Sequence, residues 1–210
     1  MKLIIFDMDG VLVDACEWHR IALNHALLQI SNYEIPAKDH IKKFNGIPTR
    51  SKLQILLEMG AIKFEDIKKI EDLKQEKTLL AIENYASYDE QKVKMMKEIR
   101  SQGIKIACYT NSVRMTAEAM LRKTGLLDYI DLLITNQDVK KHKPDPEGYN
   151  FCIDKFGLEK NKCAIIEDSE VGIEAARKSG ANVFTVNGPQ DVSIDLIRRI
   201  LHESFDPDGG

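Results

Sequence analysis

Asp7 and Asp9 carry the first chemistry that this sequence offers. They cut short an apolar run, Leu3–Phe6, within Asp7-Met-Asp9-Gly10-Val-Leu-Val-Asp14. Side chains alternate along an extended chain, so residues two apart start on one side of the backbone. Two carboxylates held close repel each other, and a hard divalent cation with oxygen ligands relieves the repulsion. The pair reads as half of a magnesium site, and that points to phosphate chemistry.

Three further segments add groups of complementary type. Tyr109-Thr110-Asn111-Ser112 supplies two hydroxyls, an amide and backbone N–H groups ahead of a helix, an inventory suited to phosphate oxygens. Taken alone it is an ordinary helix-capping turn. Lys143 stands before Pro144, and a proline biases the preceding residue toward extended geometry. A lysine restrained in this way could neutralise a phosphate and a nucleophile together; taken alone it is a surface lysine. Glu167-Asp168-Ser169 closes the apolar run Ala164–Ile166. Asp168 could complete a metal shell with Glu167 in or just behind it, and Asp168 or Ser169 could equally cap a helix.

These segments need elements that bring them together. Five short apolar runs read as buried strands: Leu3–Phe6, Ile104–Tyr109, Leu132–Thr135, Ala164–Ile166 and Val183–Val186. Several are rich in Ile, Leu or Val without alternation, as in a parallel sheet covered on both faces. Helix-like segments separate the later runs and end at Gly103, Gly125, Gly157 and Gly180, the residue type favoured in a left-handed cap. Asp145, Pro146 and Glu147 read as the N-cap and first turn of another helix. The alternation predicts a doubly wound, mainly parallel α/β (Rossmann-like) sheet. Each chemical segment then falls at the C-terminal end of a strand, where such sheets bind ligands.

The stretch between Phe6 and Ile104 breaks this rhythm. Trp18, Ile21, Ala22, His25 and Leu28 follow helical spacing, as do Leu53, Ile55–Leu57 and then Ile67, Ile70 and Lys74. It is too long for one crossover helix and predicts an inserted α-helical cap. The expected division is residues 1–13 and 89–210 for the core and 14–88 for the cap. The Lys/Glu/Asp alternation from Lys63 to Lys77 reads as a solvated helix face, and the tail Phe205–Gly210 as frayed.

The 210 residues are 43% hydrophobic and 30% charged with a net charge of −3, ordinary for a globular protein with a real core. Charges are mixed, so no basic footprint points to nucleic acid. No apolar run approaches the roughly 18–20 residues of a membrane span, and the N-terminal apolar stretch breaks at Asp7, unlike a signal peptide. Cys16, Cys108, Cys152 and Cys163 form no C-x-x-C pair and read as free thiols of a cytoplasmic protein.

Together, Asp7–Asp14, Thr110–Ser112, Lys143-Pro-Asp-Pro146 and Glu167–Ile173 resemble the haloacid dehalogenase-like superfamily, in its branch with a helical cap after the first strand. The resemblance spans almost the whole chain. It implies a magnesium-dependent phosphatase for a small phosphorylated metabolite such as a sugar phosphate, acting as a monomer or weak homodimer. Asp7 is then the nucleophile and forms an aspartyl-phosphate, and Asp9 is the acid/base. Thr110 and Lys143 hold the transferring group, with Asn111 and Ser112 as further substrate contacts. The implied Mg2+ ligands are Asp7, Asp9 (through its carbonyl), Asp168 and Glu167.

Cap residues bear on the substrate. His19 resembles a substrate-facing histidine of β-phosphoglucomutase-like members. Arg50, in Gly46-Ile-Pro-Thr-Arg50, resembles a cap-loop arginine displaced by one position and could grip a second anionic group. Ala15 departs from the Ser or Thr that relatives often place there, and this favours hydrolysis over phosphoryl return. The alternatives are a β-phosphoglucomutase-like mutase and a non-catalytic binding protein on the same fold. Dehalogenation fits poorly with so complete a cation site. Phosphonate hydrolysis needs an imine-forming cap lysine, and no lysine such as Lys52 is distinguished by its neighbours in sequence.

Overall fold

The apolar runs do form strands. The computed structural model describes residues 2–205, so the tail expected to fray lies outside the described residues beyond Phe205. Among these residues one sheet contains β1 (Leu3–Phe6), β2 (Lys105–Tyr109), β3 (Leu132–Ile134), β4 (Cys163–Glu167) and β5 (Asn182–Thr185). Their order is β3-β2-β1-β4-β5, and every pairing is parallel. Successive side chains enter opposite faces, and both faces are covered. Ile4, Phe6, Cys108 and Ile166 join one apolar cluster, while Leu3, Ile5, Ala107 and Ile165 join another. Burial on both sides is why the strands show no polar alternation.

Helices α1 (Cys16–Ser31), α2 (Ala37–Asp39), α3 (Thr49–Glu58) and α4 (Ile67–Tyr85) follow β1 and gather a third apolar cluster that includes Leu23, Leu27, Leu53, Leu56 and Ile70. A five-residue π-helical segment, His40–Phe44, lies between α2 and α3. In α1 the buried face is Ala22, Leu23, Ala26 and Leu27, whereas Ile21, His25 and Leu28 are exposed. The helical spacing in the sequence is therefore real, but its buried stripe is rotated. In α4 the inner stripe is Ile67, Ile70, Lys74, Thr78 and Ile82, so Lys74 shares the face of Ile67 and Ile70 as its spacing predicts, while its charged neighbours stay on the solvated face.

The remaining helices are α5 (Glu90–Ser101), α6 (Arg114–Lys123), α7 (Glu147–Lys155), α8 (Glu170–Ser179) and α9 (Ile194–Phe205). Their starts are capped in part as expected. Asp145 accepts from the Glu147 N–H at 3.0 Å, and Ser169 accepts from the Gly172 N–H at 3.2 Å. The four cysteines are free, with Cys108, Cys152 and Cys163 buried and Cys16 partly exposed. No helix among the described residues is long and apolar enough to cross a membrane.

Candidate active site

Sheet register puts the chemical segments side by side. Phe6 pairs with Cys108 on one flank and with Ile166 on the other, so the chain leaves β1, β2 and β4 at one level. Asp7 is tied there by its N–H to the Ile166 carbonyl at 3.0 Å, and Thr110 by its N–H to the Ile134 carbonyl at 3.0 Å. After Asp7 the chain turns sharply. The N–H groups of Val11, Leu12 and Val13 all point to the Met8 carbonyl, and Gly10 has a φ of +92°. A side chain at Gly10 would overlap the Asp168 carboxylate, so this glycine serves both the turn and the close approach.

The floor of the site is a dense network. Lys143 Nζ donates to Asp7 Oδ1 at 2.5 Å, to Glu167 Oε1 at 2.5 Å and to the Tyr109 carbonyl at 3.1 Å. Its three protons are all used. The ammonium also lies 4.8 Å and 5.1 Å from the ring centres of Tyr109 and Tyr149. Burial works against this charge, but Asp7 and Glu167 outweigh it and hold the lysine well above its usual range. Glu167 is completely buried. It accepts from Lys143, the Tyr149 hydroxyl, the Asp168 and Ser169 N–H groups and the Ser169 hydroxyl. A side chain at Gly172 would collide with that carboxylate.

Asp7, Glu167 and Asp168 offer oxygen atoms that all lie within 4.8 Å of one another, a group able to hold a metal ion. Two observations support this fit. Asp168 Oδ1 is buried without a hydrogen-bond partner. Burial, reinforced by neighbouring carboxylates, raises the Asp168 carboxyl to about 7 and Asp7 well above its usual range, which is the strain a cation relieves. Glu167 also accepts five hydrogen bonds, which tie its carboxylate to Lys143, Tyr149, Asp168 and Ser169.

The Asp9 carboxylate points elsewhere. It accepts from the Ser112 hydroxyl at 2.8 Å and the Thr110 hydroxyl at 3.2 Å, and lies 3.0 Å from His19 Nε2. Lys74 Nζ is 3.0 Å from His19 Nδ1. An ammonium only donates, so Nδ1 accepts and Nε2–H donates to Asp9. Burial and Lys74 lower the imidazole, which favours this neutral ring. Burial alone would raise Asp9, yet His19, Ser112 and Lys74 hold it down at about 2.

A cavity of about 1040 Å³ opens above these groups, lined by Asp7, Asp9, Thr110, Lys143 and Asp168 below and by residues of the helical layer above. The structure brings together Asp7, Asp9, Thr110, Ser112, Lys143, Glu167, Asp168 and His19. Asn111 is drawn off to the seam between layers, where its side-chain amide donates to the Gly46 carbonyl at 2.7 Å. Arg50 stands at the cavity edge, with its side chain 76% exposed and 3.5 Å from Glu71. Trp18 packs into the core beside Tyr85.

Sequence reasoning missed His40 and Tyr149, and it named Lys52 without a feature to mark it out. The structure distinguishes Lys52 sharply, because it is only 8% exposed, lines the cavity and has a side chain that makes no hydrogen bond or ion pair among the described residues. Burial lowers it to about 8. Its closeness to the buried Leu53 and Leu56 was the one available signal.

The chain is similar to known proteins along most of its length. A phosphorylated carbohydrates phosphatase of Thermotoga maritima is 32% identical over 185 residues, covering 86% of this chain and 82% of that protein. A fructose-1-phosphate phosphatase of Escherichia coli is 31% identical over 189 residues, covering 87% and 95%. The fold matches the crystal structure of a β-phosphoglucomutase from Clostridium difficile with a TM-score of 0.83 at 21% identity, covering 97% and 98%. Residues 4–186 match the haloacid dehalogenase-like hydrolase family, to which this chain belongs.

Proposed function

We propose that this protein is a magnesium-dependent phosphatase that hydrolyses a small phosphorylated metabolite, with sugar phosphates as the leading class, through an aspartyl-phosphate on Asp7. The observation that carries the reading is the division of labour between two neighbouring carboxylates. Asp7 is held by Lys143 beside Asp168, and Asp9 faces the hydroxyls and His19. One is placed to attack and the other to move a proton. Two of the proteins named above are a phosphorylated carbohydrates phosphatase and a fructose-1-phosphate phosphatase, which supports the substrate class.

Asp7 attacks phosphorus, the ester P–O bond breaks, and the leaving oxygen takes a proton from Asp9. Water then attacks the phosphorus of the aspartyl-phosphate and gives its proton to Asp9, releasing phosphate and restoring Asp7. Asp9 is ionised in the free protein, so the approaching phosphate dianion must raise it before the first half-reaction. Lys143 neutralises charge and orients Asp7, and Thr110 takes a phosphoryl oxygen. Magnesium, held by Asp7, Asp168 and the Asp9 carbonyl, would supply charge neutralisation between carboxylate and phosphate. Segment 14–88 acts as the cap that closes over a small substrate and excludes water.

A mutase is the second reading. Its support is the grip of three side chains on Asp9, which restrains it from activating water until substrate arrives. The test is phosphate release from sugar phosphates, phosphoglycolate and nucleoside monophosphates, with magnesium, with chelator and with Asp7→Asn. Magnesium-dependent release lost in the variant is expected. Turnover of β-glucose 1-phosphate only with a bisphosphate activator would establish the mutase instead.

A further inference from the structure

Lys143 is shared between two carboxylates, and one hydroxyl bears on how it is shared. Its ammonium donates to Asp7 Oδ1 and to Glu167 Oε1 at 2.5 Å each. The Tyr149 hydroxyl donates to the same Glu167 Oε1 at 2.6 Å. The other oxygen of that carboxylate, Oε2, takes the N–H groups of Asp168 and Ser169 and the Ser169 hydroxyl. Tyr149 and Lys143 therefore divide one buried oxygen between them.

Local sequence builds this arrangement. Lys143 and Tyr149 belong to one short segment, Lys143-Pro-Asp-Pro-Glu-Gly-Tyr149. The Glu147 carboxylate accepts from the N–H groups of Lys140 and Lys141 at 2.9 and 3.0 Å, which ties the loop that carries Lys143 to the first turn of α7. A side chain at Gly148 would overlap the Tyr109 ring, so this glycine lets α7 lie close against β2. Tyr149 follows directly, is fully buried, and meets Tyr109 edge-on with ring centres 4.9 Å apart. Packing thus fixes the ring and aims its hydroxyl at Glu167. A carboxylate oxygen that accepts from two donors spreads its charge over both. Without the Tyr149 donor, Lys143 is the one partner left to Oε1. A buried anion short of donors is costly, so the ammonium is drawn toward Glu167 and off Asp7.

We propose that Tyr149 is a positioning residue, which holds Glu167 Oε1 so that the Lys143 ammonium stays on the carboxylate of Asp7. Tyr149 acts through two side chains, Glu167 and Lys143, rather than on the substrate. Its effect on rate rests on the phosphatase reading; its effect on the place of Lys143 does not. A slip of the ammonium misaligns the nucleophile more than it weakens the hold on substrate, so the loss falls on kcat.

The test is Tyr149→Phe, which keeps the ring against Tyr109 and beside Lys143 and removes the hydroxyl alone. Crystal structures of the wild type and the variant with magnesium locate the Lys143 ammonium. Steady-state phosphate release from a sugar phosphate separates kcat from KM. In the variant the ammonium should leave hydrogen-bond reach of Asp7 for Glu167. With that shift kcat should fall by about tenfold, the size of one charge-assisted hydrogen bond, and KM should stay within about twofold. A lysine that stays on Asp7 in the variant overturns the proposal whatever the rate. So does an unchanged kcat, or a rise in KM alone, where the wild type is active. Should Tyr149→Phe give no cooperative melting curve, Tyr149→Met, whose flexible side chain also lacks a donor, takes its place with the same readouts. A displaced ammonium in a protein whose wild type releases no phosphate would overturn the phosphatase reading and leave the positioning of Lys143 standing.

Discussion

Lys143 and Lys52 are both buried lysines beside one cavity, and their surroundings push them in opposite directions. Lys143 meets two carboxylates, a carbonyl and two aromatic rings, and its charge is locked in. Lys52 meets no counter-ion at bonding distance and is lowered to about 8 by burial. Burial is the same penalty in both places, so partners decide the sign. The floor charge is thus matched within the fold, whereas the Lys52 ammonium in the roof has no bonded partner among the described residues.

The largest expected effect comes from the floor. Asp7→Asn keeps an oxygen for Lys143 but removes the nucleophile, and phosphate release should fall by at least about 10⁴-fold with little change in melting temperature. A variant that keeps normal rates would end the assignment of Asp7. Lys143→Met should come next, because it leaves Asp7 and Glu167 buried without their shared cation. A stability loss of about 3–5 kcal/mol is expected, read as a melting transition roughly 10 °C lower. An unchanged transition would show that the floor does not depend on that charge.

His40 should give an intermediate effect that depends on pH. Burial, helped by Lys52 and Arg20, lowers the ring to about 4. Between about pH 6.5 and 4 the unfolded chain takes a proton that the folded protein refuses, so stability should fall as pH falls through this window. His40→Asn should flatten that part of the curve, and an unchanged slope would reject the argument. The smallest effect is the sharpest for the comparison. Lys52→Met should raise the melting temperature of the free protein by about 2–4 °C, the shift that about 1 kcal/mol produces in a chain of this size. A fall would mean that Lys52 is satisfied in the folded protein and that the contrast with Lys143 is false.

Much of the floor was legible in the sequence because it depends on local order. Leu3–Phe6 and Cys163–Glu167 pair in register, so the acids just past each strand are bound to meet. Parallel strands buried on both faces leave unmistakable apolar runs, and Asp145 and Ser169 mark helix starts by their own hydrogen bonds. The roof was less legible because its meaning comes from packing between helices far apart in sequence. The α1 stripe was rotated by one residue or so, since Ile21 and Leu28 face outward while Leu23 and Leu27 face in. Lys74 was legible as a member of the Ile67–Ile70 stripe, but not as a partner of His19 on another helix. Nothing near Lys52 in the sequence foretells that no acid reaches it. Glu167 was legible as an acid at the right place, but its five donors come from the loop before α7, from α7 itself and from its own turn, and only the fold assembles them.

The groups below the cavity are gathered from strand ends scattered between Asp7 and Asp168, whereas Lys52, Lys74 and His40 all lie within the unbroken stretch Cys16–Tyr85. The two meet at a seam held in part by Asn111 and the Gly46 carbonyl, a main-chain atom that exists whatever side chains surround it. A lineage can therefore rewrite much of one contiguous block of sequence and leave the strand-end groups in place, provided that it keeps His19, which holds Asp9 from within that block. The strand-end groups and most of what surrounds them are thus encoded in different stretches of the chain, and His19 is the link between the two.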